Sequence, residues 1–119
     1  MSPEEKKVYN LLGITTKSGK LVSGEFSTEK AVKEHKATLV VVAEDASDNT
    51  KKMFTNMCTY YKVPIYFFGM KDDLGHAMGK EFRASLAVLD KGLADAIEKQ
   101  LKMMRDRNGG RMYGQNEDI

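Results

Sequence analysis

The stretch TLVVVA, residues 38–43, decides the fold because it is the clearest strand of the chain. It is apolar without alternation and rich in β-branched side chains, which is typical of a central strand covered on both faces of its sheet. Helix and strand signals alternate on both sides of it. The sequence therefore predicts an α/β fold, a single-domain three-layer α/β/α sandwich around a small mixed sheet.

Capping residues and breaks in the apolar pattern set the expected bounds of the other elements. Ser2, Pro3 and Glu5 predict a first helix that opens with a capping box and ends before Lys17. Strands are expected over residues 20–22, 38–43, 65–68 and 83–89. Further helices are expected from Ser23 to about Lys36, from Asn49 to Tyr61 with Ser47 or Asp48 as N-cap, from Asp72 or Asp73, and from Asp90.

Two helices carry apolar stripes that should face the core. In the third, the expected inward residues are Met53, Met57, Tyr60 and Tyr61. The stripe of the last helix ends at Met104. From there glycine and asparagine replace the apolar pattern, so we expect a domain over residues 1–104 and a flexible, passive tail over residues 105–119.

Composition limits the function classes. The chain has 119 residues, enough for one domain, and 19 Lys and Arg against 17 Asp and Glu give a net charge of +2. Nucleic-acid binding would therefore need a local basic patch. The longest apolar run, Leu39–Ala43, is too short to cross a membrane, and the N-terminal stretch does not resemble a signal peptide. A cytoplasmic protein without a membrane partner is expected.

Motifs for catalysis or metal binding are missing from the sequence. It contains no Walker A motif and no GxGxxG, and His35 and His76 have no ligand partner at helical spacing. Cys58 is expected to be a structural or semi-buried thiol. The Glu44-Asp45 pair at the C-terminus of a strand could be catalytic, but no partner nucleophile or metal motif accompanies it, which favours a solvated loop that caps a helix. We therefore predict no enzyme activity, no cofactor, no metal and no small-molecule substrate.

The junction between the first predicted strand and the second helix suggests phosphate binding. Free N–H groups at a helix N-terminus and the helix dipole both favour an anion. Gly24 would let a backbone approach closely, and Lys17, Lys20 and Lys30 could neutralise phosphates. These residues predict an anion-binding surface without specifying its ligand.

A second loop, residues 75–83, carries two glycines, two cations and the aromatic Phe82. An outward Phe82 could stack on an unpaired base. An inward Phe82 would be part of the core at the start of a strand, and the general burial of phenylalanine favours this second interpretation.

Several segments together resemble one protein superfamily. They are Gly13, the SGK turn at 18–20, LVSGE at 21–25, LVVVAEDAS with the NT that follows it, YYKVP at 60–64, and LG-A-GKE at 74–81. Over about residues 8–101 they resemble the ribosomal protein L7Ae/L30e superfamily, and within it the bacterial YlxQ-type proteins. The resemblance implies an α/β/α sandwich. In the best-studied branches it also implies binding of kink-turn RNA, an internal loop with sheared G·A pairs and a sharply bent backbone.

The contact motif of this superfamily, G-x-N-E-x-x-K, falls on residues 24–30. Gly24 and Lys30 match it, whereas Phe26 and Ser27 replace the Asn-Glu pair that reaches guanine edges in kink-turn binders. The phosphate-directed part of the motif is kept and the base-reading part is changed. The resemblance also implies RNA contacts from residues 44–47 and 79–82.

Together these interpretations predict a non-enzymatic RNA-binding protein that is ribosome-associated or binds structured, kink-turn-like RNA. The candidate RNA-binding residues are Lys17, Lys20, Ser23, Gly24, Glu25, Phe26, Ser27, Lys30, Asp45, Ser47, Lys80, Glu81 and Phe82. The alternative is a protein-interaction module on the same fold, in which the same surface docks a partner protein or a second copy of the chain.

Overall fold

The computed structural model describes residues 1–107 and contains helices and strands in the predicted alternating order. They are α1 (Pro3–Lys17), β1 (Leu21–Ser23), α2 (Glu25–Lys33), β2 (Leu39–Val42), α3 (Asp48–Tyr61), β3 (Ile65–Phe67), α4 (Lys71–Ala77), β4 (Ser85–Val88) and α5 (Lys91–Arg107). The predicted capping box is present at Ser2, and the side chain of Ser47 caps α3.

The four strands form one mixed sheet in the order β1-β4-β2-β3. β2 is parallel to β3, and β4 is antiparallel to both β1 and β2. As a result, β1, β2 and β3 all end on the side of the sheet where β4 begins. We call this end of the strands the loop end. Ser23 is paired with Leu86 there, and Val42 is paired with Ser85.

The core lies on both faces of this sheet, and the predicted sandwich is confirmed. All four residues of β2 are fully buried, as expected for a central strand. α1 packs on α5 over one face, and α2 packs on α3 over the other. The apolar residues Val8, Leu12, Val32 and Leu101 are fully buried in these helices. Burial on both faces explains why β2 has no polar alternation.

The predicted inward stripe of α3 was wrong at Tyr60 and missed the two residues that are fully buried. Phe54 and Cys58 are the buried residues of this helix, whereas Tyr60 is 77% exposed. Met53, Met57 and Tyr61 are only partly buried beside them. Each residue turns the helix by about 100°, so burying Phe54 and Cys58, one turn apart, leaves Tyr60 facing solvent.

The predicted cap of α4 was also wrong. The helix begins at Lys71, before Asp72 and Asp73, and no local side chain caps it. Instead, the carboxylate of Asp45, in the loop after β2, accepts a hydrogen bond from the Lys71 N–H at 2.9 Å. This cap comes from a residue far away in sequence, which a local capping pattern cannot reveal.

Other bounds differ by a few residues. α1 includes Lys17, and α2 ends at Lys33 because the chain turns at His35, where φ is 62°. β4 begins at Ser85, since the Arg83 N–H donates to the Lys71 carbonyl instead of to a strand. α5 continues to Arg107, beyond the expected domain limit at Met104. The rest of the predicted tail, residues 108–119, lies outside the described residues.

Candidate nucleic-acid interface

Three segments meet at the loop end of the sheet: residues 23–30, 43–47 and 79–85. The Gly24 N–H donates to the Ser85 carbonyl at 2.9 Å, and the Ala43 N–H donates to the Ala84 carbonyl at 2.8 Å. The start of β4 therefore lies between the other two segments. The mixed topology of the sheet brings together three of the segments that the sequence analysis predicts to bind RNA.

Arg83 fastens these segments to one another. Its Nε donates to the Ser23 hydroxyl at 2.9 Å, and its Nη1 donates to the Phe82 carbonyl at 2.7 Å. Its backbone N–H donates to the Lys71 carbonyl, and the Lys71 N–H donates to Asp45. A continuous set of hydrogen bonds thus runs from Ser23 to Asp45. No local sequence pattern indicates this role, because Ser23 and Arg83 are 60 residues apart.

The start of α2 is open. Its N-cap residue Gly24 has φ 93° and ψ 159°, and no side chain caps the helix. This backbone conformation is essentially restricted to glycine. Because the first N–H groups of a helix lack partners within the helix and carry its positive dipole end, the first turn of α2 can accept an anion.

Large apolar side chains are exposed at this end. Phe26 is 77% exposed, Phe82 is 61% exposed and Met70 is 46% exposed. For Phe82 the favoured inward interpretation was therefore wrong. The backbone of residues 81–82 packs against Gly75, where an added Cβ would lie 2.0 Å from the Glu81 carbonyl oxygen. The loop backbone fills the space beside α4, which leaves the Phe82 ring outside.

The charged residues at the loop end are mixed in sign. Lys30 is exposed and its ammonium lies 3.4 Å from the carboxylate of Glu34, the residue that follows α2. Glu25, Lys80 and Glu81 are exposed, and none of them is in an ion pair among residues 1–107. Ser23 and Ser27 are partly buried, and Ser47 is exposed and occupied as the cap of α3.

Lys17 and Lys20 are not brought to the loop end. Lys20 immediately precedes β1. The first residue of β1, Leu21, is paired with Val88, the last residue of β4, at the end of the strands opposite the loop end. The Leu89 N–H donates to the Lys20 carbonyl, which fixes this turn there. The nominated lysines are therefore divided between two ends of the molecule, with Lys30 and Lys80 near the loop end.

Metal binding and thiol chemistry can be assessed among the described residues. In residues 1–107, no group of three or more His, Cys, Asp and Glu side chains could hold a metal ion. Burial raises the pKa of the Cys58 thiol to about 12, so this thiol is neutral at physiological pH. Partial burial also raises the pKa of the Glu44 carboxyl, although nearby Lys51 acts in the opposite direction. No helix among the same residues is long and apolar enough to cross a membrane.

Comparison with known proteins places this arrangement in a family. The model of the ribosomal protein L7Ae/L30e/S12e/Gadd45 family matches residues 6–98. The chain belongs to this family. It is 42% identical over 89 residues to the RNA-binding protein YlxQ of Bacillus subtilis, which covers 75% of this chain and 89% of that protein. The predicted superfamily and the likeness to YlxQ-type proteins are confirmed.

More distant relatives and solved structures agree on the fold. The large ribosomal subunit protein eL30 of Candida albicans is 33% identical over 103 residues, covering 82% of this chain and 97% of that protein. A protein of unknown function from Bacillus halodurans superposes with a TM-score of 0.79 at 32% identity, covering 81% and 97% of the two chains. The 15.5kD RNA binding protein of Giardia lamblia superposes with a TM-score of 0.73 at 21% identity, covering 89% and 91%. At that identity the Giardia structure supports the fold alone.

Proposed function

We propose that this protein is a non-enzymatic RNA-binding protein that recognises structured RNA of the kink-turn type, ribosomal RNA included, through the loop end of its sheet. The observation that carries this proposal is the hydrogen-bonded joining of three segments by Arg83, with Phe26 and Phe82 exposed on them. The names of the family and of its YlxQ relative support RNA as the partner class. A cytoplasmic location is part of the proposal.

Each part of the surface has a distinct role in the proposed complex. The open first turn of α2 faces an RNA phosphate, and Gly24 permits close approach of the RNA backbone. Lys30 and Lys80 neutralise neighbouring phosphates. Phe26 and Phe82 stack on bases that the bend of the RNA leaves unpaired. Stacking thereby replaces hydrogen bonding by the Asn-Glu pair of kink-turn binders.

A comparison of two RNAs tests the proposal. Purified protein is titrated with a kink-turn hairpin and with a hairpin whose G·A pairs are changed to Watson–Crick pairs, each at two salt concentrations. We expect tighter binding to the kinked hairpin, with an affinity that falls as salt rises. Equal binding to both hairpins would contradict shape recognition, and no binding to either at low salt would contradict RNA binding.

Phe26→Ala tests the stacking role, and Tyr60→Ala is its matched control. Both rings are 77% exposed, but Tyr60 is on α3, near its C-terminal end, away from the loop end. Loss of one base stack costs about 1–3 kcal/mol, so we expect Phe26→Ala to weaken kink-turn binding roughly 5- to 150-fold. Tyr60→Ala should bind like the wild type. Equal effects of the two substitutions would contradict the assignment of Phe26.

The exposed apolar side chains also favour a second candidate, the protein-interaction module. Phe26, Met70 and Phe82 could dock on a partner protein or on a second copy of the chain. Sedimentation at increasing protein concentration separates this candidate from the first. Self-association that Phe26→Ala and Phe82→Ala abolish, without any RNA binding by the wild type, would favour it.

A further inference from the structure

A groove of about 790 Å³ lies between α1 and α4, outside the candidate interface. The α1 side presents Lys6, Asn10, Ile14 and Lys17, which recur at helical spacing on one face. The α4 side presents His76 and Ala77. Gly13 lets the helices approach, since an added Cβ there would lie 3.3 Å from the Ala77 carbonyl oxygen.

The charges of the groove favour a polyanion. Neither Lys6 nor Lys17 is in an ion pair among residues 1–107, in contrast to Lys30, Lys33 and Lys91. The two lysines are eleven positions apart on α1, which corresponds to roughly 16 Å along the helix axis. At ~3.4 Å per nucleotide this distance spans about five phosphates of a stacked strand. Between the lysines, Ile14 is 54% exposed and offers an apolar contact to a base.

One end of the groove, beside His76, lies next to residues 79–82, because the Gly79 N–H donates to the His76 carbonyl. Its α4 wall ends at Ala77, and the chain turns there into residues 79–82, with the Lys80 N–H donating to the Gly75 carbonyl. Near Tyr9 and Asp73 the groove adjoins a second pocket, lined partly by Glu5 and Glu44. The three carboxylates there, Glu5, Glu44 and Asp73, disfavour a phosphate at that second mouth, since the Arg107 guanidinium that also lines it is paired with Glu4. A strand would therefore enter beside His76 and Lys17.

We propose, on the basis of the RNA binding proposed above, that the α1–α4 groove holds the backbone of an RNA strand that continues past residues 79–82. Lys17 and Lys6 contact phosphates at the two ends of the groove, and the exposed face of Ile14 contacts a base. This proposal gives Lys17 an RNA contact, although it lies away from the loop end. It also extends the footprint by about five nucleotides beyond the kinked element.

The test compares the kink-turn hairpin alone with hairpins that carry a single-stranded oligouridine extension of about two or about five nucleotides, at either end. We expect the five-nucleotide extension at one end to raise the affinity. It should also steepen the slope of log affinity against log salt concentration by about 1.4, the value for two phosphate contacts with a single strand. The gain in affinity from the extension should therefore fall about sevenfold between about 50 and about 200 mM salt. The two-nucleotide extension is too short to reach both lysines.

The variant Lys6→Ala/Lys17→Ala should lose the gain from the extension and still bind the unextended hairpin like the wild type. The control Lys7→Ala/Lys99→Ala removes the same charge from two other exposed lysines that have no ion pair among residues 1–107. It should keep the gain. Asp73→Asn, which removes a negative charge from the α4 wall, should strengthen binding of the extended hairpin alone.

Three results would overturn the proposal. The first is an extension gain that survives Lys6→Ala/Lys17→Ala. The second is an equal loss for extended and unextended hairpins, which would mean that the two lysines act only through general charge. The third is the absence of binding to every hairpin, which also contradicts the proposed function, whereas the first two leave that function intact.

Discussion

The helices α2 and α3 both begin at the loop end of the sheet, but their first turns are built differently. α3 follows Ser47, whose hydroxyl oxygen accepts a hydrogen bond from the Thr50 N–H at 3.1 Å. α2 follows Gly24, which has no side chain and holds φ at 93°. A serine cap satisfies an N–H group that the helix itself leaves free, whereas a glycine cap leaves it for another partner.

Because of this difference, the start of α3 stabilises the fold, whereas the start of α2 has N–H groups available to a ligand. The serine cap of α3 contributes to the stability of the fold and leaves one fewer free N–H group than the uncapped start of α2 has. The start of α2 depends on a backbone conformation that glycine adopts readily and is flanked by the exposed Phe26. A residue with a Cβ would adopt this conformation only at a cost in backbone strain. Here the Gly24 N–H is held by the Ser85 carbonyl, and Arg83 holds Ser23 beside it.

Gly24→Ala should have the largest effect on this comparison. An added Cβ meets no atom within 4 Å, so the cost is backbone strain, about 1–3 kcal/mol of the free energy of unfolding. RNA affinity should fall as well, because the methyl group would stand where the RNA backbone approaches. Urea denaturation measures the first effect, and titration with the kink-turn hairpin measures the second.

Gly19→Ala is the control for this substitution. Gly19 also has a positive φ, 72°, and open space around it, but it lies in the turn before β1, away from the loop end. It should lose about 1–2 kcal/mol of stability without a change in RNA affinity. Should both alanine variants weaken RNA binding to the same degree, the loss would reflect stability and not a contact at Gly24.

Ser47→Ala should have a smaller effect, confined to stability. Removing a serine cap costs about 1 kcal/mol, here because the Thr50 N–H loses its acceptor. Since the proposed phosphate site is the start of α2, binding of the kink-turn hairpin should stay within about twofold of the wild type, less than one lost hydrogen bond. A loss of RNA affinity as large as that of Gly24→Ala would mean that both helix starts contact the RNA.

The fold could be predicted because its signals are local. The continuous apolar run of β2, the capping box at Ser2 and the alternation of elements each reflect interactions between near neighbours in sequence. Where a prediction from the sequence was wrong, the deciding contact came from a part of the chain that is distant in sequence. Asp45 caps α4 from another loop, and the competition between Phe54 and Tyr60 for the core depends on how α3 is rotated against the sheet.

The candidate site could be predicted only in part, for the same reason. The residues at the start of α2 were found by their motif, and the mixed sheet does bring them near residues 79–85. The role of Arg83 was missed because it depends on the antiparallel pairing of β1 with β4. The positions of Lys17 and Lys20 depend on the direction of β1, since a short strand separates them from Gly24. Strand pairing and direction are tertiary information, which the spacing of residues does not carry.

The start of α1 extends the comparison to a third helix and gives the smallest effect. Glu4, in its first turn, receives two hydrogen bonds from the Arg107 guanidinium at 2.9 Å and 2.7 Å. These bonds hold the pKa of the Glu4 carboxyl below its ordinary value of 4.5. A carboxylate with a lowered pKa in the folded state stabilises that state above pH 4.5, and the stabilisation is lost as the pH falls through the lowered value.

Glu4→Gln should therefore be less stable than the wild type in urea at pH 7, and this difference should shrink as the pH is lowered from 4.5. Glu25→Gln is the matched control, because Glu25 occupies the first turn of α2 and has no ion pair among residues 1–107. It should show a smaller difference at pH 7. A difference for Glu4→Gln that stays constant down to about pH 2 would mean that the pairing with Arg107 does not depend on the charge of Glu4. The start of α1 would then resemble that of α3, closed by hydrogen bonds that do not titrate.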